Sequence, residues 1–213
     1  MNRYHLAEVF DTVQGEGAQV GQRMVFVRFA GCNLWNGTEE GRERGAGQCA
    51  RWCDTDFRPK LSLALTELLS RMDALWPVGV GARWCCLTGG EPLLQVDEAL
   101  CVALRRAGWS IAVETNGTAP FDLRLADHVT FSPKLDSSLA LENCHALKVV
   151  LPGGQVGWTA QQLDDLAGRF SAASLFVQPQ DGDARGLSVC LDFVRARPWW
   201  RLSLQAHKLI GIS

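Results

Sequence analysis

Three cysteines, Cys32, Cys49 and Cys53, fall within one short stretch of a 213-residue chain at the spacing Cys-x16-Cys-x3-Cys. Clustered thiols in a chain with no secretory signature point to metal or redox chemistry before they point to disulfides. The start, MNRYHLAEVFDTVQGEG, carries acids where a signal peptide needs an apolar core, so the expected compartment is the reducing cytoplasm. Two metal chemistries fit the trio. A closed zinc site takes four ligands, usually as two close pairs. Here there is a pair and a single, and a fourth thiol would have to come from Cys85 or Cys86 on a later strand. A four-iron four-sulfur cluster also takes four ligands, so three thiolates would leave one iron open to a small molecule. Both readings stand on the residues alone. The other five, Cys85, Cys86, Cys101, Cys144 and Cys190, sit among apolar neighbours and read as small buried hydrophobes.

The elements that must position these thiols are legible as a pattern. Apolar runs at 24–29, 84–87, 111–113, 129–131, 147–151 and 175–177 read as six strands. Helical stripes fall between several of them: 61–76 through Leu61, Leu65, Leu68, Leu69, Met72 and Leu75, and a second from Pro92 through Leu93, Val96, Leu100, Leu104 and Ala107. Two more run through Leu163, Leu166, Ala167 and Phe170, and through Leu187, Cys190, Leu191 and Val194. Alternating strands and helices with no linker predict one parallel α/β domain over residues 1–213, a partial TIM-like β/α barrel of about six strands. Cys32, Thr88-Gly89-Gly90-Glu91-Pro92, Glu114-Thr115-Asn116-Gly117, Ser132-Pro133-Lys134 and Gln178-Pro179-Gln180 each follow a strand. That is the carboxyl edge, where parallel α/β folds bind ligands. Each group taken singly is also ordinary turn chemistry.

Composition narrows the class of partner. Hydrophobic residues are 47%, charged residues 21% and the net charge is −2, the balance of a soluble globular chain with no broad electrostatic reason to bind nucleic acid or a membrane surface. No apolar run approaches the ~18 residues of a transmembrane helix.

With the cysteine loop placed after a strand, Trp52 before the last cysteine and Gly89-Gly90-Glu91 after the next parallel strand, the chain resembles the radical S-adenosylmethionine (SAM) enzymes. It departs from their usual C-x3-C-x2-C spacing in both gaps. The first holds sixteen residues, NLWNGTEEGRERGAGQ, a polar surface insertion that enlarges the cluster loop (33–52), and the second is longer by one. Thr12-Val13-Gln14-Gly15-Glu16-Gly17, Gly31-Cys32-Asn33-Leu34-Trp35, Cys53-Asp54-Thr55-Asp56-Phe57 and His207-Lys208-Leu209-Ile210-Gly211 are more specifically similar to the 7-carboxy-7-deazaguanine synthase family of queuosine and 7-deazapurine biosynthesis.

That resemblance implies a lyase that rearranges 6-carboxy-5,6,7,8-tetrahydropterin to 7-carboxy-7-deazaguanine with loss of ammonia, by radical chemistry started from SAM. It assigns Cys32, Cys49 and Cys53 to a [4Fe-4S] cluster and Thr55 to magnesium. Trp52, Gly90, Glu91, Ser132, Pro133, Lys134, Gln178, Pro179, Gln180 and Asp181 are assigned to SAM. Val13, Gln14, Gly15, Arg28, Thr88 and the terminal carboxylate of Ser213 are assigned to the substrate, with Glu16 and His207 as further contacts. It also implies a homodimer, for which Trp199-Trp200 would suit an interface, and an external reductant such as flavodoxin or ferredoxin. Two rivals remain: a small radical SAM activase that makes a glycyl radical on a partner enzyme, and a non-enzymatic, metal-stabilised binding module.

Overall fold

The structure, a computed structural model, describes residues 3–45, 49, 53–154, 157–171 and 173–212. Its centre is a sheet in the order β3-β1-β2-β4-β5-β6-β7-β8-β9. In chain order the strands and helices are β1 (Arg3–Val13), β2 (Arg23–Phe29), β3 (Leu61–Ala64), α1 (Leu65–Leu75), β4 (Arg83–Gly89), α2 (Glu98–Arg106), β5 (Trp109–Thr115), β6 (His128–Phe131), β7 (Ala146–Leu151), α3 (Ala160–Arg169), β8 (Ser174–Pro179), α4 (Ala184–Ala196), β9 (Trp200–Leu202) and α5 (Ala206–Ile210). From β2 through β9 every pairing is parallel, whereas β1 runs antiparallel to both β2 and β3. The sheet does not close, so the architecture is a partial TIM-like barrel.

All six expected strands are present, and the differences lie around them. The stripe at 61–76 is two elements: Leu61–Ala64 pairs with β1, and the helix begins only at Leu65. Leu61 fits both a helical stripe and a half-buried strand, and pairing with β1 decides between them. Pro92 opens a single 3-10 turn rather than the long helix. The helix starts at Glu98, where the Asp97 carboxylate caps it by accepting from the Leu100 N–H. Residues 132–145 cross from β6 to β7 with no helix. Among the described residues no helix is long and apolar enough to span a membrane.

Strand periodicity gives the sheet two faces. Val25, Val27 and Phe29 of β2, Ile111 and Val113 of β5, and Leu147 and Val149 of β7 join the main core with Leu68, Met72, Leu100, Leu104 and Leu163 of the helices. On the opposite face Met24, Cys86 and Ala112 form a much smaller apolar cluster with Phe26 and Trp84. Beyond that cluster, toward the carboxyl ends, the inner face turns polar. The five scattered cysteines are all buried, as expected of core residues. Of the Trp199-Trp200 pair only Trp199 is exposed; Trp200 is buried edge-on against Phe193.

Candidate active site

Alternation along the parallel strands places Arg28, Thr88, Glu114, Ser132, Lys148 and Gln178 around one cavity of about 460 Å³ on the inner face. Phe10 and Phe26 face the same space, their ring centroids 5.5 Å apart, and give it an apolar wall suited to a flat ring.

The three cysteines of the trio line this cavity and none is in a disulfide. Their loop is anchored, not merely polar: Leu34 and Trp35 are buried, and Trp35 packs edge-on against Phe57 at 5.5 Å with Cys32 and Cys53 alongside. The Cys53 N–H donates to the Cys49 carbonyl, and the Leu34 N–H points at the Cys32 sulfur at 3.4 Å. The Cys49 thiol donates to Cys53 and draws the Cys53 thiol down. Donating that hydrogen bond pushes the Cys49 thiol up, and burial pushes Cys32 up. Among the described residues no three His, Cys, Asp or Glu side chains converge on a single metal-ion position. The donor set is three soft sulfurs on one cavity wall, which fits the ligand chemistry of an iron–sulfur cluster.

The glycine pair at the end of β4 is required by the protein's own backbone. Gly90 donates to the Phe29 carbonyl, and the Glu91 N–H donates to the Gly31 carbonyl, stitching this turn to the start of the cysteine loop. A Cβ on Gly90 would lie 1.9 Å from the Gly31 oxygen. Glu91 itself is fully buried. Its Oε1 accepts from Thr115 Oγ1 at 2.7 Å and from the Leu93 N–H, and its Oε2 accepts from the Asn116 N–H at 2.7 Å. Burial pushes its carboxyl up against those hydrogen bonds. The Glu91 carboxylate thus ties β4 to β5 beneath the cavity, while Gly89 and Gly90 form the cavity surface. Asn116 continues the brace by donating to Asn33 Oδ1 at 3.2 Å.

The opposite side is built on charge. Lys148 Nζ, its side chain 4% exposed, bonds Glu16 and reaches Glu114 Oε2 at 3.3 Å. Gln14 Nε2 donates to Glu114 Oε1 at 2.8 Å, and Gln205 Nε2 donates to Glu16 Oε1 at 2.9 Å. Burial alone would raise the Glu16 carboxyl, but Lys148 and Gln205 outweigh it and hold it at about 2. Burial pulls the Lys148 ammonium down, and the two carboxylates more than reverse that. The C-terminal segment closes over this side. The Ala206 N–H donates to the Gly15 carbonyl, and His207 packs so closely that a Cβ on Gly15 would fall 2.1 Å from its Nδ1. Lys208 pairs with Asp54 and with Asp181 at 2.7 Å.

Of the residues singled out from sequence, the cavity is lined by Val13, Gln14, Gly15, Glu16, Arg28, Thr55 and Thr88, by Gly90, Ser132, Lys134, Gln178, Pro179 and Asp181, and by His207. Glu91, Pro133 and Gln180 are not part of the lining, and Trp52 and Ser213 fall outside the described residues. Lys148 was not singled out, and Glu114 was read only as the first residue of the Glu114-Thr115-Asn116-Gly117 rim group. The available signal was a charged residue inside an apolar parallel strand, where both faces are normally covered.

No family model matches the chain. Curated relatives match nearly all of it. The 7-carboxy-7-deazaguanine synthase of Burkholderia multivorans is 42% identical over 218 residues, 98% of this chain and 99% of its own. That of Bordetella pertussis is 41% identical over 222 residues, again 98% and 99%. Among solved structures, QueE from Escherichia coli superposes with a TM-score of 0.70 over 96% of this chain and 95% of its own, at 24% identity, a likeness of fold.

Proposed function

The chain belongs to the 7-carboxy-7-deazaguanine synthase family, and from that premise we propose that it is a radical SAM lyase converting 6-carboxy-5,6,7,8-tetrahydropterin to 7-carboxy-7-deazaguanine and ammonia. Such an enzyme needs a four-iron cluster, SAM, a small-molecule substrate and a reductant. The observation that carries the reading is the convergence of three free thiols and a lysine-bridged carboxylate pair on one cavity about the size of such ligands.

Cys32, Cys49 and Cys53 would hold the cluster, which together with SAM would supply the radical chemistry that the rearrangement needs. The chain's own residues bind, orient and exclude water. The Gly89-Gly90 backbone, Ser132-Pro133-Lys134 and Gln178-Pro179-Gln180-Asp181 are assigned to the SAM side together with Glu91, although Glu91, Pro133 and Gln180 are not part of the cavity lining. Trp52 is assigned to SAM by the resemblance alone. Arg28, whose Nε donates to Glu8 at 2.6 Å, offers its planar guanidinium to the substrate carboxylate. Val13-Gln14-Gly15 and Thr88 face the ring, and Ser213 is assigned to the substrate with them.

Magnesium is assigned to Thr55. The neighbouring carboxylates are committed elsewhere, Asp56 to Arg58 and Lys60, and Asp54 to Lys208. One hydroxyl is a poor octahedral site, so substrate and water must complete it, and magnesium then binds with the substrate. The same reading makes residues 1–213 one radical SAM domain whose enlarged loop is 33–52. It also makes the protein a cytoplasmic homodimer served by a flavodoxin or ferredoxin.

The test is anaerobic incubation of the cluster-loaded protein with the carboxypterin, SAM, magnesium and a reductant. The expected product is 7-carboxy-7-deazaguanine. Reductive SAM cleavage with no deazapurine formed would overturn the substrate assignment and favour the activase reading. A protein that takes up no iron or sulfide would overturn the cluster.

A further inference from the structure

The Glu16–Lys148–Glu114 group is drawn from three separated parts of the chain: the turn after β1, the middle of β7 and the end of β5. Lys148 reaches Glu114 across β6, which presents only short side chains, Thr130 opposite Glu114 and Ser132 beyond it, in the intervening space. Each carboxylate oxygen has one named protein donor: Gln205 and Lys148 on Glu16, and Gln14 and Lys148 on Glu114. A carboxylate offers about four acceptor sites, so each keeps capacity for donors from the cavity. Gln14 also accepts from the Glu16 N–H at 3.0 Å, which locks the two ends of the network together.

Two carboxylates so close in a buried setting repel, and one would take up a proton unless a cation stood between them. A protonated carboxyl presents a donor where the site otherwise presents an acceptor. The aminopyrimidinone edge of a pterin is a row of N–H donors. Taking the pterin reading above as its premise, we infer that Lys148 is a positioning residue for substrate binding: it sets Glu16 and Glu114 at one fixed separation, as a matched acceptor pair for the N–H edge of the ring. Lys148 itself faces the carboxylates and acts through them.

The test compares wild type, Lys148→Met and Lys148→Arg as SAM-bound holoenzymes, reading KM and kcat for the carboxypterin and its equilibrium dissociation constant. Lys148→Met should weaken pterin binding by about 30-fold, the size expected when one partner of a buried charge pair is truncated. The loss should appear mainly in KM. Lys148→Arg, which keeps a cation between the two carboxylates, should retain most of the binding. Pterin binding by Lys148→Met equal to wild type, or a Lys148→Arg protein that binds no better than Lys148→Met, would overturn the inference. If Lys148→Met fails to fold, Lys148→Arg decides: near-wild-type pterin binding supports action through the carboxylates, and a Lys148→Arg protein that does not fold or binds no pterin overturns it. A wild-type protein that binds no pterin would instead remove the premise, a result read before any variant is made.

Discussion

Leu147 and Lys148 are neighbours in β7 and do opposite work. Leu147 points to the helix-covered face, fully buried in the main core with Val149, Val113 and Val129. Lys148 points to the inner face, equally hidden from solvent, but its surroundings are Glu16 and Glu114. The contrast repeats along the sheet. Val27 and Phe29 face the core while Phe26 and Arg28 face the cavity; Val113 faces the core while Glu114 faces the cavity. One set of strands carries both the hydrophobic stabilisation of the fold and the chemistry of the site, and period-two alternation keeps them apart. Substitutions on the two faces should therefore fail in different ways.

The largest effect should come from the thiols. Cys32→Ala, Cys49→Ala or Cys53→Ala is expected to bring protein-bound iron and sulfide to background and to abolish product formation, whereas Cys101→Ala, buried in the core, should keep both. Iron analysis after anaerobic reconstitution measures the difference. A Cys101→Ala protein that lost its iron would break the division between cavity and core cysteines. Next, Leu147→Ala should cost about 2–5 kcal/mol of stability through the lost contacts and the cavity left behind. Urea unfolding would show this, while KM for the pterin in the surviving folded enzyme stays at the wild-type value. A raised KM with unchanged stability would mean that the two faces are not separable.

The smallest effect should be one of pH. The Glu16 carboxyl is held at about 2 against an ordinary 4.5, so its ion pair stabilises the fold above about pH 4.5 and that contribution is lost as pH falls toward 2. Glu16→Gln should then be less stable than wild type at neutral pH, on the order of 1 kcal/mol because Lys148 keeps Glu114. The gap should close as pH is lowered from 4.5 to 2. Unfolding curves across that range would test it, and a gap independent of pH would show that Glu16 contributes by shape rather than by charge.

The six parallel strands, the helices α2 to α4 in outline and the cysteine loop were legible from sequence because each rests on local signals: apolar runs, 3.6-residue stripes, and Gly or Pro after a strand. The first strand was not, since RYHLAEVFDTV mixes charges into its alternation and bulges between Leu6 and Glu8. Within the site, the motif residues near the first strands and the SPK and QPQ groups were found, as was Glu114 within its rim group, but Lys148 was passed over. A single charge in an apolar run reads as an irregularity until its partners are known.

The sequence by itself determined the element types, the rim on which the motifs gather and the supply of three thiols, because these depend on residue type and short-range spacing. Tertiary structure alone decided that Glu91 is a buried tie and that Leu61–Ala64 is an edge strand. It decided too that Lys148 bridges carboxylates 132 and 34 residues away. Those outcomes depend on sheet order and register, which bring distant positions into contact and which no local pattern encodes.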